Sequence, residues 1–143
     1  MGYIGNKELK IDSWVVDYTH INSSGSGATT AVIGLFPIRP NAYPMFLRAR
    51  VKTAFAGVVT APTVKVGDET ITDLYLRNQP IDKAGDLRSG GMYDATGVCQ
   101  NMHMSSRKSF TVGAQMNATF TSASGNFGSL TAGEIEFVYG YVE

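Results

Sequence analysis

The sequence is poor in the residues that build covalently or metal-held scaffolds. Its 143 residues include a single cysteine, Cys99, which cannot form an internal disulfide and cannot by itself make a zinc site. No apolar run reaches the length of a signal peptide or a membrane span, so a soluble chain, intracellular or released by lysis, is expected. Charge is scarce too: Asp, Glu, Lys and Arg make up 17%, where about a quarter is usual. Twelve basic side chains balance twelve acidic ones, and a dedicated nucleic-acid binder needs a basic excess to neutralise phosphates. Direct nucleic-acid binding is excluded on that ground. A hydrophobic fraction of 43% argues against disorder. A weakly charged, neutral surface favours association over isolation.

Sustained helical periodicity is also missing. In its place stand sixteen Gly with abundant Thr, Val and Ser, the vocabulary of strands and turns. The clearest strand is Phe110–Phe120, where Phe110, Val112, Ala114, Met116, Ala118 and Phe120 alternate with polar or small residues. Glu134–Val142 repeats the pattern, with Ile135, Phe137, Tyr139 and Tyr141 on one side. The Ser122–Ser129 run between them is turn chemistry and predicts a hairpin. Earlier strands are expected at Lys10–Tyr18, Ala31–Pro37, Met45–Ala56, Thr63–Val66 and Glu69–Leu76, with a tight turn at Val66–Glu69. In the third of these, Leu47, Ala49, Val51, Thr53 and Phe55 form one face, and Phe46, Arg48, Arg50, Lys52 and Ala54 the other. A short helical turn is placed at Ile81–Leu87. The stretches His20–Thr30 and Lys83–Gly97 are expected as long surface loops. Residues 1–10 then form an amino-terminal arm and 11–143 a single all-β domain, a β-sandwich that is most economically a jelly roll with long surface loops.

Chemistry of the catalytic kind is thin. His20 and His103 share no ligand spacing with each other or with Cys99. No G-x-S-x-G, Walker A or G-x-G-x-x-G pattern is present, and Gly25-Ser26-Gly27 has the look of a linker-like loop. Two acidic groups, Asp68, Glu69, Asp73 and Asp82, Asp86, Asp94, invite calcium, but neither matches an EF-hand. Solvated loop charges account for them as well. Trp14 suggests a sugar-stacking platform, against which stands its apolar neighbourhood, typical of a core or interface anchor. No catalytic residue, cofactor or metal is expected, and the chain is read as a non-enzyme.

The order of charges says more than their total. Between Asp17 and Asp68 there is no acidic residue, while Arg48, Arg50 and Lys52 fall on one face of one strand. At strand rise they make a basic stripe about 13–14 Å long. Acidic residues follow, including Glu134 and Glu136, and no basic residue occurs after Lys108. Such segregation serves pairing between copies or with a partner; equally, neighbouring strands can cancel it locally. Tyr3 and Ile4, with Met1, put apolar tips on the amino end. Tyr3, Ile4, Arg48, Arg50 and Lys52 are therefore the candidate interface residues.

The run Leu130-Thr131-Ala132-Gly133-Glu134-Ile135, preceded by Ala118-Thr119-Phe120-Thr121, resembles small tailed-bacteriophage structural proteins. It is most similar to the jelly-roll head decoration (cement, or auxiliary capsid) proteins. The resemblance covers about the last quarter of the chain and rests on a structural motif, not an active-site signature. It implies a homotrimer on the virion surface that clamps adjacent major capsid protein subunits against internal DNA pressure, made in the host cytoplasm. An amino-terminal arm reaching neighbouring subunits would correspond to Met1–Lys10. Other phage neck, tail or fibre-base proteins use the same β vocabulary. A carbohydrate-binding β-sandwich module is the competing class.

Overall fold

Alternating burial, clearest along residues 30–35, 48–52 and 134–139, accompanies two four-stranded antiparallel sheets in the computed structural model, which describes residues 9–40, 43–87 and 114–142. Among the described residues the strands are β1 (Leu9–Asp17), β2 (Thr30–Ile38), β3 (Tyr43–Gly57), β4 (Thr63–Gly67), β5 (Leu76–Pro80), β6 (Gly85–Leu87), β7 (Ala114–Thr121) and β8 (Leu130–Val142), with one α-helix, α1 (Tyr18–Ser24). One sheet has the order β1-β8-β3-β6 and the other β2-β7-β4-β5. Two sheets filled in this crossing order form an eight-stranded jelly roll, the β-sandwich the composition pointed to.

The inner faces meet through aromatic rings. Phe120 on β7 lies 6.1 Å from Phe55 on β3 and 6.4 Å from Phe137 on β8, centroid to centroid. Further along, Phe36 on β2 stacks on Tyr139 of β8 at 4.2 Å and 8°. Each pair links one sheet to the other, adding about 0.5–1.5 kcal/mol to the burial of the rings themselves. Ile135, Phe137 and Tyr139 are buried and Tyr141 half-buried, as their alternation predicts.

Several local expectations are corrected. The predicted hairpin does not form. β7 and β8 sit in opposite sheets, and residues 122–129 carry the chain across the sandwich edge through a 3₁₀ turn at Phe127–Ser129. The expected strand at Glu69–Leu76 is a turn instead. The Asp68 carboxylate accepts from the backbone N–H of Thr70 and Ile71 at 2.8 and 2.6 Å, and pairing resumes only at Leu76. Ile81–Leu87 is not helical: Gly85–Leu87 adds to the edge of β3 as β6. Within β3, an irregularity between Phe46 and Arg48 turns Phe46 inward, where it is buried against Phe137. A second one after Val51 leaves Thr53 exposed.

The polar stretch after Asp17 is a helix where a loop was expected. Asp17 caps it by accepting from the N–H of Thr19 and His20, and His20 Nδ1 accepts in return from the Asp17 N–H at 3.2 Å. This reciprocal arrangement is a capping box, with Ile21 fully buried as the anchor. The glycine turn that follows is packed. A Cβ at Gly25 would stand 2.7 Å from Ala31 Cβ and 2.8 Å from Phe127 Cβ, so the segment is no flexible linker. The expected strand residues 110–113 and the loop residues 88–97 lie outside the described residues.

Candidate functional site: a charged sheet face and an edge cleft

Arg48, Arg50 and Lys52 project from β3 onto the outer face of the β1-β8-β3-β6 sheet, all exposed. Strand alternation puts them there, because Ala49 and Val51 between them are buried. β8 lies beside β3 and presents Glu134 and Glu136 on the same face. Arg48 meets Glu136 Oε1 at 3.3 Å, and Lys52 meets Glu134 Oε1 at 3.7 Å. Arg50 stands in register between Glu136 on one side and Asp86 of β6 on the other.

The stripe is thus real as geometry and partly neutralised by its neighbours. Rows of acid, base and acid run across three strands. Exposed pairs of this kind contribute about 0.2–1 kcal/mol each, so they do little for the fold. Their chemical capacity is to exchange partners: a docking surface of matching alternation can take over either member. The spacing of Glu134 and Glu136 by two residues placed them on one face; that this face lies beside β3 was not legible from the chain.

Tyr3 and Ile4 lie outside the described residues, as do Asp94, Cys99 and His103. Of the acidic groups, Asp68 is buried and spends one oxygen on its turn. Burial, with the charge of Asp68 adding to it, pushes the Tyr75 phenol above its ordinary range. Among the described residues no three His, Cys, Asp or Glu side chains gather as a metal site.

A second feature was not anticipated as a site. β1 and β2 are edge strands of opposite sheets, and α1 links them. Against this flank opens a cleft of about 400 Å³, lined by Trp14 and by helix residues Thr19, His20, Ser23 and Ser24. Trp14 is half-buried and meets the His20 ring edge-on at 6.4 Å. A smaller hollow of about 190 Å³ lies against Phe36, Tyr139 and Tyr141 with Asp12 and Arg39. Burial, with Asp12 nearby, raises the Tyr139 phenol.

No family model matches the chain, and no curated protein matches it. Among solved structures, a chain of the cyanophage Pam1 capsid asymmetric unit is similar, with a TM-score of 0.50 and 13% identity. The match covers 99% of this chain and 88% of that one. At that identity the likeness concerns the fold: the sandwich is shared along nearly its full length.

Proposed function

We propose that this chain is a non-enzymatic structural protein of a bacteriophage virion, which decorates the capsid by oligomerising on the shell surface. The observation that carries the reading is the jelly roll itself, matched over 99% of its length by a chain of a phage capsid asymmetric unit. The acid-base-acid face supplies the second support, being an exposed surface of alternating sign suited to a partner's complementary row.

In this reading Arg48, Arg50 and Lys52, with Glu134 and Glu136, form the docking face toward the major capsid protein or a neighbouring copy. Residues 1–10, with Tyr3 and Ile4, act as an arm. The oligomer is a trimer, and many weak contacts per shell add up through avidity.

Sedimentation and light scattering test the oligomer, and co-sedimentation with shells of the encoding virus tests docking. The triple variant Arg48→Ala, Arg50→Ala, Lys52→Ala suits this better than reversal to Glu. Reversal would crowd new carboxylates against Glu134, Glu136 and Asp86. The variant should fold, with a stability loss of no more than about 1–2 kcal/mol, and should lose shell binding. A monomer at high micromolar concentration that ignores the shell overturns the proposal. Undiminished binding by the triple variant returns the stripe to a solvated strand face.

A further inference from the structure

We propose that the cleft between Trp14 and α1 is a binding site for an uncharged oligosaccharide. Three observations converge on that ligand class. The first is the lining. Trp14 offers half-exposed indole surface, Ser23 and Ser24 offer two hydroxyls, each both donor and acceptor, and Thr19, whose hydroxyl proton goes to the Asp17 carboxylate, offers an acceptor. A saccharide has the matching duality: apolar C–H faces that lie on an aromatic ring, and a rim of hydroxyls.

The second is charge. Among the described residues no Asp, Glu, Lys or Arg lines the cleft, although both Asp17 and Asp12 belong to the strand that carries Trp14. Asp17 is turned to capping the helix, and Asp12 lies in the other hollow. An ionic ligand would find no carboxylate, ammonium or guanidinium among these lining groups, whereas a neutral polyol needs only hydrogen-bond partners there.

The third is preorganisation. Thr19 and Ser23 stand four residues apart on α1, as do His20 and Ser24, so helical spacing stacks them in two adjacent rows. Ile21 fixes the helix by complete burial. The His20 ring is held by two contacts, the Trp14 edge at 6.4 Å and the Asp17 N–H on Nδ1 at 3.2 Å. Nδ1 is taken up by Asp17, whose Oδ1 also stands 3.1 Å away, which leaves Nε2 as the ring nitrogen for a sugar oxygen. The volume, about 400 Å³, falls within the usual span of small-ligand sites, about 300–1,000 Å³.

The inference is independent of shell docking, since the cleft lies at the β1–β2 flank and the charged stripe on β3. The experiment exploits the chain's one tryptophan, which sits in the site. Emission of Trp14 is followed while the intact protein is titrated with neutral oligomers of glucose, galactose and N-acetylglucosamine, and with uronic-acid oligomers as the charged control. At least one neutral oligomer should give a saturable change with half-saturation below about 10 mM. The double variant Ser23→Ala, Ser24→Ala changes two exposed side chains and should weaken it by about tenfold. Arg48→Ala, Arg50→Ala, Lys52→Ala should leave it unchanged. The proposal is overturned by no saturable response to the neutral oligomers, by preference for the acidic ones, or by full retention in the serine variant. Emission that changes with protein concentration alone, and with no sugar, would assign the cleft to a second copy and overturn it equally. Shell co-sedimentation of the serine variant reports on the docking reading separately.

Discussion

Replacing Gly133 by alanine sets one methyl group against the aromatic centre of the sandwich. Gly133 lies in β8 with φ of 142°, a conformation that side-chain-bearing residues avoid at a cost of about 1–3 kcal/mol. A Cβ there would fall 2.1 Å from Phe55 Cδ1 and 2.5 Å from Cγ and Cε1. The ring covers the glycine in face-on fashion, so no small rotation clears it. Phe55 is 3% exposed and faces Phe120 at 6.1 Å, so displacing it disturbs the contact between the two sheets. Forcing extra volume into such a site costs about another 1–3 kcal/mol. The sum, about 2–6 kcal/mol, is a large share of the roughly 5–15 kcal/mol that holds a domain together.

Urea unfolding followed by circular dichroism and Trp14 emission measures the loss, and Phe55→Leu resolves its two parts. With the flat ring replaced, the packing portion of the Gly133→Ala penalty should shrink, while the backbone portion stays. The double-mutant cycle should therefore show favourable coupling of about 1 kcal/mol or more. A Gly133→Ala protein within about 0.5 kcal/mol of the parent would refute the geometry. Strict additivity in the cycle would show that the ring is not the obstacle.

Two further outcomes follow from titratable groups. Asp17→Ala should cost about 0.5–2 kcal/mol by uncapping α1. The Thr19 hydroxyl foremost, against a smaller opposing effect of burial, holds the Asp17 carboxyl below its ordinary 3.8. Its stabilisation is therefore present above that value and lost as pH falls through the lower folded value. The gap between parent and variant in thermal melts should narrow in acid; a gap independent of pH would refute the cap's electrostatic part. Tyr75→Phe should leave stability unchanged or raise it, because the buried hydroxyl has no hydrogen-bond partner among the described residues. Burial raises the phenol above its ordinary 10.0, so the unfolded chain ionises first and stability falls as pH climbs past 10. The variant should lose less over that range, and an identical alkaline decline would refute the assignment.

Strand faces were legible because a two-residue period states which side chains turn inward. Ile135, Phe137 and Tyr139 are buried as that period requires, and Arg48, Arg50 and Lys52 point outward. Sheet membership was not legible, since both sheets bury one face with the same period. Two alternating strands and a Gly/Ser turn therefore imitate a hairpin. Among the described strands only β4 and β5 are consecutive within one sheet; the other steps cross over. The Phe46 inversion was invisible for a related reason. A bulge shifts the phase by one residue without changing composition, and Phe46 is as apolar as the core position it takes.

The site divides along the same line. One strand's sequence contains the basic stripe, but its neutralisation depends on which strand lies beside it, and that follows from the crossover order. Glu134 and Glu136 are more than eighty residues away in the chain, yet β8 sits next to β3 in the sheet. The cleft depended on a capping box whose third residue is His in place of the usual Glu or Gln, so the Asp17 signal was hidden in a Ser/Gly-rich run. Once α1 forms, it joins β1 and β2, the outermost of the described strands at one side of each sheet, and Trp14 on β1 comes to line one cleft with the helix hydroxyls. Topology therefore creates both surfaces from segments that carry no motif: alternating charge on a sheet face, and an uncharged aromatic cleft at its edge. Their different chemistries make them separable by substitution, because removing the charges of β3 leaves every group lining the cleft in place.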